Sequence, residues 1–193
     1  GEDNVFFLTK DGISRMNWHD HAVPLIEGEG VRDFHIENQL WTLFPYDKVS
    51  AELKTTLPAS LWQHFWLFRH VMKQRKDFGN FIEDRGLQWH EHSMFFPERY
   101  KVPFGITFGE VATHNHFVLD RGGKVFKQTA PVIKLPAGAS EDEHLGLLGL
   151  LNSSVACFWL KQVCHNKGST VDQHGARQRT SPFEDFYAFN ATK

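Results

Sequence analysis

Between Leu57 and Lys76, apolar residues recur every three or four positions, at Leu61, Phe65, Phe68 and Met72. That spacing predicts an amphipathic helix over about 57–76. Pro58 suits its first turn, and a basic C-terminal half suits the helix dipole. A second stretch, HLGLLGLLNSSVACFWL, is apolar on nearly all sides and predicts a central buried helix over about 142–162. Ser140 with Glu143 three positions later forms a capping box at its start. Shorter apolar runs predict strands at Val5–Thr9, Leu40–Phe44 (ended by Pro45), Val102–Gly109, Pro131–Leu135 and the final FEDFYAF run. Phe117–Leu119, the turn Asp120-Arg121-Gly122-Gly123 and Lys124–Gln128 predict a hairpin, because paired glycines supply positive φ at little cost. Asn17–Glu29 reads as loop and Gly86–Phe96 as either helix or strand. The polar stretch after Gln162 reads as a long loop of the kind that carries function. The expected fold class is α+β, with a mixed or antiparallel sheet around the central helix.

Composition supports a packed protein. The chain has 193 residues, 41% of them apolar, with 18 Phe and 6 Trp, which is enough for a core and excludes wholesale disorder. The most apolar run, Leu145–Leu160, is broken by Asn152, Ser153 and Ser154 and is shorter than the ~20 residues a bilayer needs. With no signal peptide in view, a soluble cytoplasmic protein is expected. Cys157 and Cys164 are seven positions apart, roughly 10 Å on a helix, too far for a disulfide. They read as two buried thiols in a reducing compartment. The chain opens Gly-Glu-Asp-Asn without an initiator Met, and it is expected to be a fragment of a longer protein.

The total charge of −2 hides an uneven distribution. Arg69, Lys73, Arg75 and Lys76 give the stretch 69–76 a charge of +4; Arg121, Lys124, Lys127 and Lys134 give 121–134 the same. Lys161, Lys167, Arg177 and Arg179 against Asp172 give 161–180 a charge of +3. Together these segments carry +11, which leaves −13 on the other 151 residues. If the segments meet, they form a basic face on an acidic body. If they do not, they are ordinary solvated charge.

Candidate chemistry is sparse. His19/His21, His90/His92 and His114/His116 are H-x-H pairs, and on a strand each pair would share a face and offer two imidazoles to one ion. No further His or carboxylate follows at matching spacing, and twelve histidines make chance pairs common. The residues therefore favour structural or surface histidines, with a metal-dependent enzyme as the lesser alternative. No G-x-S-x-G, no phosphate-binding G-x-x-x-x-G-K-[ST] and no Gly-rich cofactor loop is present. Cations that neutralise phosphates sit instead beside amides and imidazoles that can address base edges.

Several blocks resemble a known family. ATHNHFVLDRGGKVFKQTAPVIKLP, followed by LLGLLNSSVACFWLKQVCHNKG, closely resembles the C-terminal region of PglX-like adenine-specific DNA methyltransferases of the BREX phage-defence systems. GEGVRDFHIENQLWTLFPYD and RKDFGNFIEDRGLQWHEHSMFF resemble the segment after the catalytic domain, in the same order. The likeness covers most of Gly28–Gly168. A broader likeness is to the TaqI-like specificity domain of N6-adenine methyltransferases. The resemblance implies a catalytic domain elsewhere, with an S-adenosylmethionine loop and an Asn-Pro-Pro-Tyr-type motif; here no Asn is followed by Pro. The chain departs from the family after HNKG, where a usually glycine-rich loop reads STVDQHGARQRTSPFEDFY.

The combined expectation is a linker or N-terminal segment over 1–50 and a DNA target-recognition domain over 51–193. Its partners would be double-stranded DNA, the catalytic domain of the same protein and other defence-system subunits. No cofactor or metal is expected in this chain, and no membrane. Arg69, Arg75, Lys76, Arg121, Lys124, Lys127, Lys167, Arg177 and Arg179 are the expected phosphate contacts. His114, Asn115, His116, Gln128 and Asn166 are expected to address bases or position the DNA. The rival reading is a protein-interaction module using the same basic surface.

Overall fold

A computed structural model describes residues 2–32, 34–168 and 185–192. The first elements are β1 (Phe7–Thr9), α1 (Lys10–Met16), β2 (Ala22–Ile26), β3 (Val31–Arg32), β4 (His35–Ile36) and β5 (Leu40–Leu43). Next come α2 (Ala59–Leu67), α3 (Arg69–Lys73), β6 (Lys76–Asp77), β7 (Asn80–Phe81), α4 (Pro97–Tyr100), β8 (Gly105–Phe108) and β9 (Val111–Ala112). The last are β10 (Phe117–Asp120), β11 (Val125–Phe126), β12 (Val132–Ile133), α5 (Glu141–Leu151), α6 (Ser154–Val163), β13 (Cys164–Gly168) and β14 (Phe186–Thr192). The fold is α+β, as expected. The chain divides into two compact units, one of residues 1–25, 39–101 and 123–125, the other of 26–38, 102–122 and 126–193.

In the first unit, β5 lies between β1 and β2, antiparallel to both, with Thr42 opposite Phe7 on one side and Val23 on the other. Thr9 caps α1 by accepting from the Gly12 amide at 3.2 Å, and Asn17 ends it in the left-handed conformation. Phe6, Ile13, Trp18, Leu43, Leu61, Phe65 and Met72 form one buried cluster. Residues 1–50, expected as a linker or N-terminal segment, supply β1, α1 and β5 and most of β2 to this unit. β2 also lies in the stretch expected as loop. Flanking His and Asp residues and the internal Pro24 mask a five-residue strand, Ala-Val-Pro-Leu-Ile.

The expected helix over 57–76 is two helices. The backbone breaks at Phe68 (φ −102, ψ 5), and Gln74 ends the second helix. The apolar spacing still marks the inner face, because Leu61, Phe65 and Met72 are fully buried. Pro58 sits at the N-cap rather than in the first turn. After the helices comes a two-residue hairpin: Lys76 pairs with Phe81 and Asp77 with Asn80, around a tip of Phe78 and Gly79. Both tip residues have positive φ, 50° and 87°. Glycine adopts this freely, whereas a phenylalanine there costs roughly 1 kcal/mol. Gly86–Phe96 is neither helix nor strand, but a turn-rich loop.

The second unit is organised by β8, which pairs antiparallel with β10 on one side and β12 on the other. The expected Phe117–Gln128 hairpin does not form. β10 pairs with β8, while β11 belongs to the sheet of β1, β5 and β2. Asp120 folds the connection locally, accepting from the Gly122 amide at 3.1 Å, and Gly122 and Gly123 both take positive φ. The two glycines thus carry the chain from one sheet to another instead of closing a hairpin. A third sheet has β14 between β13 and β9, both antiparallel to it.

The expected central buried helix is likewise two helices, and neither is central. The capping box forms: Ser140 Oγ accepts from the Glu143 amide at 3.2 Å, and the Ser140 amide donates to Glu143 at 2.7 Å. α5 then runs only to Leu151. Ser153 starts α6 afresh, accepting from the Ala156 amide at 3.1 Å, because Asn and Ser side chains compete for backbone groups. Leu147, Leu148, Leu151 and Leu160 pack on Ile106, Phe108 and Phe117. The opposite faces are open: Leu145, Leu150 and Val155 are exposed, as are Phe158 at 70% and Trp159 at 60%. Cys164 falls on β13 rather than on the helix, and both cysteines are free thiols.

Asn152 joins the helix break to the sheet. Its Oδ1 accepts from the Phe117 amide at 3.0 Å and its Nδ2 donates to the Phe117 carbonyl at 2.9 Å. Replacing Asn152 by Ala leaves both backbone groups of Phe117 without these partners, at an expected cost of about 1–3 kcal/mol. In urea unfolding of Asn152→Ala the midpoint should fall with an unchanged m-value; an unchanged midpoint would show that Asn152 contributes no net stability.

Candidate nucleic-acid interface

The fourteen residues expected to meet DNA have different fates. Arg177 and Arg179 lie outside the described residues. Arg69, Arg75, Lys76 and Lys124 belong to the first unit and the remainder to the second.

Arg75 is not a surface cation. It is 6% exposed, and its Nη2 donates to the carbonyls of Trp89 at 2.8 Å and Glu91 at 2.7 Å. Its Nε donates to the Met72 carbonyl at 3.1 Å, and the guanidinium lies 5.2 Å from the Phe6 ring centroid. The break after α3 turns this side chain inward, where it ties the 86–96 loop to the core. Arg69 and Lys76 remain exposed. Arg69 lies over the Trp66 ring at 4.8 Å, and Lys76 over the Phe81 ring at 4.5 Å.

Asn115 is also internal. Its Nδ2 donates to the carbonyls of Leu151 at 2.6 Å and Ser153 at 3.3 Å, closing the end of α5. It therefore holds the helix break and is not available to a base edge. Its neighbours differ from it and from each other. His114 is exposed, and His116 is half-buried against Phe34, ring centroids 6.1 Å apart.

Other expected cations are engaged but accessible. Arg121 makes two contacts to Glu141, from Nε at 3.0 Å and Nη2 at 2.6 Å, and Lys127 pairs with Glu27 at 2.6 Å. Exposed pairs of this kind contribute little to stability, so a phosphate can replace the carboxylate at small cost. Lys124 is half-exposed and Gln128 exposed.

One part of the second unit does gather candidate groups. β9 leads directly into the 113–116 loop and pairs with β14, which pairs in turn with β13. Asn166 on β13 stands opposite Tyr187, and Lys161 of α6 lies over the Tyr187 ring at 5.6 Å. The His114 and His116 rings are 6.2 Å apart. Burial, then the charge of Lys161, then His116 lower the pKa of His114, which favours a neutral imidazole able both to donate and to accept. Asn166 donates to Asp185 at 3.0 Å and accepts from the Gly168 amide at 2.6 Å, while Lys167 is exposed. The arrangement is a cation, an imidazole pair, an amide and an aromatic ring around one sheet. Lys161 belongs to the third basic segment but not to the expected contacts, because position alone distinguishes it from the other lysines. Its place beside His114 depends on where α6 ends, and the apolar pattern had run the helix through 142–162.

The H-x-H pairs do not build a metal centre. Among the described residues, no group of three or more His, Cys, Asp or Glu side chains could hold an ion. His92 is half-buried and turned inward, with its Nε2 2.8 Å from the Leu43 carbonyl and its ring stacked on Phe6 at 4.4 Å. Among the described residues no helix is long and apolar enough to cross a membrane.

No protein-family profile matches the chain. Across 201 aligned positions it is 43% identical to the adenine-specific methyltransferase PglX of Streptomyces coelicolor. The alignment takes in 100% of this chain and 16% of the methyltransferase. The chain is similar, from end to end, to one segment of that methyltransferase. The alignment includes residues 1–27, which lie before the blocks of family resemblance.

Two outcomes follow from the buried groups. Burial is the main cause holding His92 at a pKa of about 4, against an ordinary 6.5. Its contribution is complete above pH 6.5 and is lost as pH falls towards 4, about 3 kcal/mol in all. Urea midpoints at successive pH values should fall across that window, more shallowly in His92→Gln; equal slopes would assign the loss to other groups. Arg75→Ala should destabilise the protein by about 2–4 kcal/mol, since three carbonyls lose a charged donor. Thermal melting checks this, and an unchanged Tm would return Arg75 to the surface set.

Proposed function

We propose that this chain is the target-recognition region of an adenine-specific DNA methyltransferase of a bacterial phage-defence system, related to the TaqI-like specificity domain. Its 43% identity to PglX over its whole length carries the reading. In this reading the chain binds duplex DNA and presents an adenine to a catalytic domain that binds S-adenosylmethionine and lies elsewhere in the polypeptide. The adenine leaves the stack to be methylated.

The DNA-facing set differs from a tally of basic residues. Lys161, Lys167, Arg121, Lys124, Lys127, Arg69 and Lys76 take phosphates. His114, His116, Gln128 and Asn166 take base edges or position the duplex. Arg75 and Asn115 hold the scaffold. Arg177 and Arg179 belong to this set as sequence only.

The outer face of α5 and α6 favours the catalytic domain as the second partner. Leu145, Leu150, Val155, Phe158 and Trp159 expose more apolar surface than scattered single residues would. Gly146 and Gly149 lie mid-helix, where each costs up to about 1 kcal/mol relative to Ala. A Cβ at either position would meet nothing within 4 Å, so packing among the described residues does not account for them. Close approach of another part of the same polypeptide gives both glycines a use.

Fluorescence anisotropy of the chain with a random-sequence duplex pool, at two salt concentrations, tests the DNA reading. Salt-sensitive binding is expected. Lys161→Ala/Lys167→Ala should weaken binding on all sequences and lower the salt slope by about 2. An absence of binding at low salt would overturn the reading, and an undiminished slope in the double variant would move the DNA face away from β13.

A further inference from the structure

The β6–β7 hairpin carries a bulky ring where turn chemistry asks for glycine or asparagine. In a two-residue turn with both central φ values positive, Asn-Gly and Asp-Gly are favoured. Here the tip is Phe78-Gly79, with φ of 50° and 87°. Phe78 is 88% exposed and, among the described residues, its ring makes no aromatic or cation–π contact. The phenyl group therefore brings strain without a ring contact among the described residues. Strain retained without local benefit is a mark of function.

The hairpin is anchored at both feet. Arg75, just before β6, is held by its three carbonyls, and Ile82, just after β7, is fully buried. Arg85 pairs with Asp77 and donates to the Ser93 carbonyl at 3.1 Å. Lys73 pairs with Glu83 at 3.0 Å. Two of the acids around the hairpin are thereby neutralised, leaving Asp84 at its foot. The hairpin itself exposes the Phe78 ring, the edge of Phe81, the Lys76 ammonium and Asn80.

We propose that Phe78 is a stacking wedge: its ring inserts between bases of duplex DNA while Lys76 holds the adjacent phosphate. Aromatic side chains on rigid elements stack on bases irrespective of sequence, and wedges of this type open base steps. A protein that extrudes a base leaves a gap in the stack, and a ring held at a fixed height fills it. The exposed mixture of ring, ammonium and amide suits a base stack and its phosphates better than an apolar protein groove. The inference rests on the DNA reading above and adds how the duplex is opened.

The test compares two duplexes of one sequence, intact or with a central abasic site, since an abasic site offers the gap without the cost of unstacking. The wild-type chain should bind the abasic duplex about tenfold more tightly. Phe78→Ala should lose that preference, its affinity for the abasic duplex falling about tenfold to that for the intact one, and Phe78→Trp should keep the preference. Phe78→Gly, which relieves the strained φ, should lose the preference with a Tm no lower than wild type. A preference that survives in Phe78→Ala, or equal binding of both duplexes by the wild type, would overturn the wedge and leave DNA binding standing. A wild-type chain that binds neither duplex would overturn the DNA reading itself, and the wedge with it.

Discussion

The second unit depends on side-chain amides at a helix break. Asn152 satisfies both backbone groups of Phe117, as a neighbouring strand would, and Asn115 closes the carbonyls of Leu151 and Ser153. Two sequence stretches, His114–Phe117 and Leu151–Ser154, are thereby locked together across 35 positions or more of chain. A buried backbone group without a partner is expensive, so this arrangement fixes where β10 begins and where α5 ends. It also sets the direction of α6, which brings Lys161 over Tyr187 and beside the 113–116 loop. The outward position of His114 is a consequence of Asn115 pointing in. The polar tripeptide is a structural lock with an imidazole on either side of it.

The pattern of apolar residues was legible wherever local spacing and local capping agreed. The inner positions of α2 and α3, the capping box of α5 and the strands β5, β8, β12 and β14 all follow from it. The failures share a cause, in that a side chain's best partner lay far away in sequence. Asn152, Ser153 and Ser154 interrupt an apolar run, and the interruption is a helix break because Phe117 and Asn115 use it. Gly122-Gly123 has the chemistry of a hairpin, but β10 finds a better partner in β8, where Phe117 and Phe108 rings meet at 4.9 Å. β2 was hidden because a proline and flanking histidines outweigh five short residues in any local count. An apolar helix is also not necessarily a buried one: α6 has no buried residue.

Charge was legible as composition and illegible as surface. Of the cations in 69–76, Arg75 is spent on carbonyls inside the first unit and Lys73 is paired with Glu83, while Arg69 and Lys76 remain outside. In 121–134, Lys134 donates to the carbonyls of Val102 and Phe104 at 3.2 and 3.1 Å, and so closes a loop instead of facing solvent. A guanidinium or ammonium with several fixed acceptors is a structural group whatever its formal charge. Net charge over a segment therefore overstates the field that a polyanion would meet. The groups that remain accessible are fewer, and they sit on elements whose positions are set by buried neighbours.

The same logic separates the hairpin tip from the rest of the surface. Most exposed apolar side chains in this protein lie on helices, where exposure follows from the lack of a neighbour and requires no distortion of the backbone. Phe78 requires one, since its positive φ is unfavourable for a residue that carries a β-carbon, and glycine at the same place would be free of the cost. Phe34, also at positive φ and exposed, differs because its ring rests near His116 and so has a local partner. Strain with a local contact is explained by that contact; strain without one among the described residues, on a hairpin whose feet are Arg75 and Ile82, is what the proposed wedge accounts for. The burial of Arg75, which removes it from the expected DNA contacts, is what gives that hairpin a rigid base.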